Sequence, residues 1–248
     1  MYERSILILD SPGCALGDFS LGLLSLGLHP HHSFDLDELI LLASEHRARV
    51  GALAASGSVL CSQLERVRKE LLEPAGLSLA CAVPVGPRVS PAELEKLRLA
   101  GVRWAAFEPI RPRELRFVLT LALALADGRE ARTSARVPIE LPAEVSTGER
   151  TFRATLHDIA TGGTYIAARS PLKPGTKLRL KFVLDSESIE TAAEVRWRTA
   201  LDGGFAGWLD PGMGVSFEEL APAAQKVLAR FAEAAERRFR LTADSGPS

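Results

Sequence analysis

The sequence predicts two domains of different class: an α/β domain built on a doubly wound, five-stranded parallel sheet, followed by a six-stranded antiparallel β-barrel with a C-terminal helix. Three observations carry this. Up to residue 126, short apolar runs alternate with stretches of helical periodicity, the text of a parallel sheet covered on both faces. A polar hinge, Asp127-Gly128-Arg129-Glu130, then interrupts the pattern. Beyond it, strand-like segments of period two are separated by Gly, Pro, Asp and Ser clusters, as in a small barrel. A chain of 248 residues is comfortable for two domains. The expected boundaries are 1–127, 128–241 and a short flexible tail at 242–248.

In the first domain, Ser5–Leu9 is a continuous apolar run ending at Asp10, as expected of a strand buried on both faces. Leu16–Leu28 reads as a helix, and His32–Leu36 as a short second strand. Asp37–Arg49 follows as a helix with Asp37 as its cap and Leu39, Leu42 and Ala43 on one side. Val50–Ala55 is the third strand and Val59–Leu72 a helix, with Glu65 and Lys69 four apart in the favourable order. Leu77–Pro84 is the fourth strand. Ser90-Pro91-Ala92-Glu93 combines a cap, a first-turn proline and a capping glutamate, and Gly101 ends the helix it starts. Arg103–Phe107 completes the sheet, and Pro112–Ala126 is the last helix before the hinge.

In the second domain the expected strands are Val137–Val145, Thr151–Asp158, Thr164–Ala168, Lys177–Leu184, Ile189–Arg198 and Gly212–Phe217. Ala221–Arg240 closes the chain as an amphipathic helix, with Val227, Leu228, Phe231 and Ala235 on one side.

Composition narrows the function classes. Hydrophobic residues make up 46% and charged residues 25% of the chain, an ordinary globular balance. A formal net charge of -1 removes the electrostatic footprint of a general nucleic-acid binder, so any anion site must be local. Cys14, Cys61 and Cys81 have no paired metal spacing and read as reduced, buried small hydrophobes. The N-terminal text lacks the features of a signal peptide, and the apolar run Phe117–Ala126 is too short to span a bilayer. The expectation is a cytoplasmic protein without membrane insertion.

Two short stretches carry the chemistry. Arg132-Thr-Ser-Ala-Arg136 places two guanidinium forks four positions apart, suited to two-point contacts with phosphate oxygens. Asp158-Ile-Ala-Thr-Gly-Gly163 leads a carboxylate into a glycine turn. A carboxylate accepts from guanine N–H donors, and glycine lets backbone approach a ligand closely. Taken singly, each has a plainer reading: arginines at spacing four form solvated stripes, and Asp with Gly favours tight turns. Together, at the start of a β domain, they suit a polyanion bearing guanine bases.

Other features carry less. Trp197 on a strand reads first as core, and it is kept as a ligand contact in second place. His29, His31 and His32 lack a partner with metal-ligand spacing. The glycines after Ser11-Pro12 lack the lysine and spacing of a phosphate loop. His157 beside Asp158 has no nucleophile nearby in sequence. No metal, cofactor or catalytic group is expected.

From about Arg129 to Arg240 the chain resembles the PilZ domain family, bacterial receptors for the second messenger cyclic di-GMP. The resemblance rests on Arg132 and Arg136, on Asp158-Ile-Ala-Thr-Gly-Gly163, on Glu194-Val-Arg-Trp197 and on Gly212-Met-Gly-Val-Ser-Phe217. It implies a ligand set of Arg132, Arg136, Asp158, Ala160 and Gly163, in which the arginines grip phosphates and guanine faces; Trp197 joins the set only on its second-place reading as a ligand contact. Ala160 stands where the family has serine, and Ala131 where many members carry a further arginine. A lost neutral hydrogen bond weakens binding by about 0.5–1.5 kcal/mol and strands no charge.

The first half resembles a response-regulator receiver domain. In that family an acidic pair follows the first strand, a phosphate-accepting aspartate ends the third, and a lysine-proline follows the fifth. Here Asp10 is followed by Ser11, the third strand ends Ala54-Ala55-Ser56, and Glu108-Pro109 reverses the charge of the lysine. The resemblance therefore implies a degenerate receiver, a docking or dimerisation module without phosphotransfer, with which a homodimer is compatible. The functional expectation is a non-enzymatic signalling adaptor of motility or biofilm regulation. It binds cyclic di-GMP through its barrel and relays the signal to a protein partner. The alternative is an interaction scaffold that has lost the ligand.

Overall fold

β1 (Ser5–Leu9) carries four consecutive buried residues, as a strand of a parallel sheet covered on both faces does. It pairs in parallel with β2 (His29–Ser33) and β3 (Val50–Ser56). β4 (Ala82–Gly86) and β5 (Ala106–Phe107) complete a parallel sheet of order β2-β1-β3-β4-β5. The computed structural model describes residues 5–12, 14, 16–25, 28–45, 49–128, 136–148, 150–199 and 211–241. The chain divides into two compact units, Met1–Ala131 with Arg237–Ser248, and Arg132–Glu236. The expected tail at 242–248 lies outside the described residues.

The fold class is as predicted: a five-stranded parallel sheet first, then a closed antiparallel barrel of six strands and a C-terminal helix. Within the first unit several boundaries differ. β2 begins at His29 rather than His32, since an edge strand needs burial on one side only and its residues alternate in exposure. Phe34, within the expected strand, is 63% exposed, and Leu36 opens helix α2 (Leu36–Glu45). That helix is capped by Asp35, whose Oδ1 accepts from the Asp37 N–H at 2.8 Å; Asp37 sits in the first turn instead.

The helix expected over Val59–Leu72 is a broken run: α3 (Gly57–Ser62), a kink at Gln63, α4 (Leu64–Arg66) and a π turn, Val67–Leu72. A 3₁₀ turn at Leu79–Cys81 delays the fourth strand. α5 (Pro91–Leu99) has the capping box the sequence announced: Ser90 Oγ accepts from the Glu93 N–H, and the Glu93 carboxylate accepts from the Ser90 N–H. Of the expected Arg103–Phe107 strand, only Ala106–Phe107 joins the sheet. Trp104 instead bridges Arg240, and the Ala105 N–H donates to the Phe239 carbonyl at 2.9 Å. Between α1 (Gly17–Ser25) and α6 (Pro112–Ala126) the remaining elements follow the predicted order.

The second unit holds β6 (Val137–Ser146), β7 (Thr151–Ala160), β8 (Gly163–Ala167), β9 (Lys177–Leu184), β10 (Glu187–Thr199) and β11 (Gly212–Glu219). They close in the order β10-β11-β8-β7-β6-β9. β9 alternates exposed and buried residues without a break, as period-two text requires. Leu156, Ile159, Ile166, Leu180, Val195, Met213 and Val215 are nearly inaccessible and fill the interior. Helix α7 (Pro222–Phe239) follows, with Val227 and Leu228 buried.

Candidate functional site

Two irregularities in the barrel ladder decide what its outer surface displays. On β7, Leu156 pairs with Ile166 and points inward, so strict alternation would send Asp158 inward as well. The register shifts between them, and Asp158 pairs with Tyr165, which points to the side of β8 opposite Ile166 and is itself buried. On β10 the same happens between Val195 and Trp197. Val195 pairs with Val215 inside the barrel, whereas Trp197 pairs with Gly214 outside. Two bulges thus place an acid and an indole on one outer row: Trp197, Gly214, Tyr165, Asp158 and Pro138 on successive strands β10, β11, β8, β7 and β6.

Along this row the contacts are specific. Arg136, directly before β6, donates from Nη1 to Asp158 Oδ1 at 2.9 Å. The same oxygen accepts from the Tyr165 N–H at 3.1 Å. The Thr164 hydroxyl donates to the Asp158 carbonyl from the interior side. Asp158 is buried and Arg136 is 30% exposed, so the pair has one shielded and one wet partner. Trp197 stays 42% exposed and stacks on Tyr165 with ring centres 5.3 Å apart. Its ring occupies the space over Gly214, where a Cβ would come within 2.3 Å of the indole. The reading of Trp197 as core does not hold: the bulge turns it out.

The next row along the strands is Glu194, Ser216, Gly163 and Ala160, on β10, β11, β8 and β7. Gly163 is required by the fold itself, because a Cβ there would lie 2.1 Å from the Val215 carbonyl oxygen. Of the predicted ligand set, Arg136, Asp158, Ala160, Gly163 and Trp197 share this outer face. Arg132, like Ala131 and Arg129, lies outside the described residues. Sequence reasoning passed over Tyr165, Arg196 and Ser216. Arg196 donates from Nε to Ser216 Oγ at 2.7 Å and from Nη1 to Glu194 at 3.0 Å. The signal available was Gly212-Met-Gly214, two glycines at period two on a strand, which mark a surface that something else covers.

In the first unit, the ends of β1 and β3 carry the residues compared above with a receiver. Asp10 is buried, and its partners include the Ser11 N–H at 2.7 Å, the Gly17 N–H at 3.0 Å and His32 Nε2 at 3.0 Å. Burial alone would raise its carboxyl, but His32 and the backbone N–H groups outweigh that and hold it below the usual carboxylate range. At the end of β3, the Ser56 hydroxyl accepts from the Ser11 hydroxyl at 2.9 Å. Cys14, beside Gly86, has its thiol pushed up by burial, so it is not a reactive thiolate. Among the described residues there is no group of three His, Cys, Asp or Glu side chains able to hold a metal, and no helix long and apolar enough to cross a membrane.

Comparison with known proteins places the barrel. The PilZ domain model matches residues 130–234. Among solved structures, the chain is similar to the Bacillus subtilis inhibitor of motility MotI/DgrA, with 23% identity, TM-score 0.36 and coverage of 41% of this chain and 49% of that one. It is also similar to the PilZ domain of YcgR from Escherichia coli with c-di-GMP, with 16% identity, TM-score 0.34 and coverage of 41% and 88%. The PilZ domain of CeSA from a cellulose-synthesizing bacterium gives 19% identity, TM-score 0.31 and coverage of 42% and 99%. The chain thus spans about half the length of the first of these structures. No curated protein matches it. With a closed six-stranded barrel and the family match falling on the same residues, the segment 130–234 of this chain is a PilZ domain.

Proposed function

We propose that the protein is a cytoplasmic, non-enzymatic signalling adaptor that binds cyclic di-GMP on the outer face of its barrel and passes the signal to a protein partner through its α/β domain. The PilZ family is a family of cyclic di-GMP receptors, and the residues that would carry the role here are Arg132, Arg136, Asp158, Ala160, Gly163 and Trp197. The single observation behind the reading is the Arg136–Asp158 pair at 2.9 Å, turned to the outer side of the barrel by a bulge at the motif positions, with the acid shielded and the arginine partly exposed. It brings a phosphate-matching fork and a carboxylate that accepts from guanine N–H donors to one place. Trp197 offers a flat aromatic face on the same row, on which a base can stack.

Isothermal titration of the purified full chain with cyclic di-GMP, using GMP and GTP as controls, tests this. Saturable binding of cyclic di-GMP with neither control competing is expected. Absence of heat and of competition at millimolar ligand would end the receptor reading.

A second reading, a ligand-free interaction scaffold, is favoured by Ala160 in the position of the family's serine. Ala160→Ser separates the two. A several-fold strengthening of measurable binding supports the receptor, whereas binding that emerges only in the variant supports the scaffold.

A further inference from the structure

We propose that Arg196, held in place by Ser216, is a specificity residue that reads the N7/O6 edge of a guanine lying over Gly163, opposite the carboxylate of Asp158. The inference rests on the receptor reading above and adds a contact and a base preference to it.

The placement follows from register. Ser216 on β11 pairs with Gly163 on β8, which pairs with Ala160 on β7. All three face out, since their neighbours Val215, Thr164 and Ile159 form the inward row. Gly163 has no side chain and Ala160 only a methyl, so the row is a low floor, with the Ser216 hydroxyl at its β11 end and Asp158 one row away along β7 at the other. Two strand spacings, about 10 Å, separate the β7 and β11 ends of that floor. That span suits a purine with a hydrogen bond at each edge.

The guanidinium of Arg196 is fixed at the β11 end. Its Nε donates to Ser216 Oγ at 2.7 Å and its Nη1 to Glu194 Oε1 at 3.0 Å. Among the described residues Nη2 has no hydrogen-bond partner, and the side chain is 58% exposed. Charge decides between a phosphate and a base edge. The Glu194 carboxylate at 3.0 Å offsets the cation, which disfavours a second anion and leaves a donor suited to neutral acceptors. Guanine presents two such acceptors, N7 and O6, on the edge away from its N–H donors; with Nε and Nη1 engaged, Nη2 meets that edge with its own N–H donors rather than as a two-nitrogen fork. Adenine puts a donor in place of O6, so the same arrangement rejects it.

The test compares the full chain with Arg196→Ala, titrating each with cyclic di-GMP and with its 7-deazaguanine analogue, which lacks the N7 acceptor. The parent is expected to prefer cyclic di-GMP roughly tenfold over the analogue. Arg196→Ala is expected to bind both ligands equally, near the parent's affinity for the analogue. Its thermal midpoint should be unchanged, because the side chain is largely in solvent. Ser216→Ala should narrow the preference several-fold. A variant that keeps parental affinity, or that still discriminates as the parent does, overturns the assignment while leaving the receptor reading intact. A parent that binds neither ligand overturns both.

Discussion

Arg136 and Asp158 are joined through a single carboxylate oxygen, Oδ1, which also accepts from the Tyr165 N–H. The pair neutralises a buried acid and, under the proposed receptor function, holds the groups a nucleotide would use. Binding of that kind would replace the guanidinium at Asp158 by the ligand's own donors.

Arg136→Ala should therefore cost stability as well as binding. The variant removes the Nη1–Oδ1 ion pair from Asp158. A destabilisation of about 1–2 kcal/mol is expected, at the low end for a broken ion pair because Arg136 is partly in water. Urea unfolding followed by far-ultraviolet circular dichroism measures it. Arg136→Lys should recover the stability and little of the binding, since an ammonium cannot contact a phosphate in two-point fashion.

Gly163→Ala should damage the barrel rather than the ligand contact alone. Its methyl would meet the Val215 carbonyl oxygen at 2.1 Å, so the β8–β11 ladder must open. A loss of about 3 kcal/mol or more is expected, at or beyond the upper end of ordinary overpacking because backbone rather than side chain must yield. Chemical denaturation distinguishes this from Ala160→Ser, which should leave stability unchanged.

Acid stability of the first unit should depend on Asp10. Its folded pKa lies below its ordinary value of 3.8, so the ionised form contributes stability that is fully present above that value. The contribution is lost as the pH falls from about 4 through the lower folded value. Asp10→Asn should flatten the fall in stability over that acid range. The check is the pH dependence of the unfolding midpoint for parent and variant.

The β9–β10 turn should be improvable. Asp185 and Ser186 both have positive φ, at 49° and 67°, a conformation that costs L residues. Ser186→Gly removes that cost at the second position. After the added backbone entropy of glycine, a gain of about 0.5–1 kcal/mol is expected, visible as a raised thermal midpoint.

Much of this architecture was readable because local patterns and burial agreed. The Ser90–Glu93 cap, the alternation of β9 and the buried run Ser5–Leu9 each state their own structure. Where apolar residues serve no core, the text misled. Phe34 is hydrophobic yet exposed, which drew the second strand too far toward the C-terminus. Arg103–Ala105 is strand-like in composition, yet Trp104 and Ala105 pair with Arg240 and Phe239, more than 130 residues away in sequence.

The residue types at the site, two arginine forks and an acid before paired glycines, were determined by sequence alone, because their chemistry is intrinsic to the side chains. Which way those side chains face was not. Period-two alternation carries Asp158 and Trp197 inward after Leu156 and Val195, and one extra residue in each ladder reverses both. A bulge arises from how neighbouring strands fit around a closed barrel, a pairing that no single strand's sequence contains. Tertiary structure therefore decided that the acid and the indole share an outer surface with Arg136, Arg196 and Ser216.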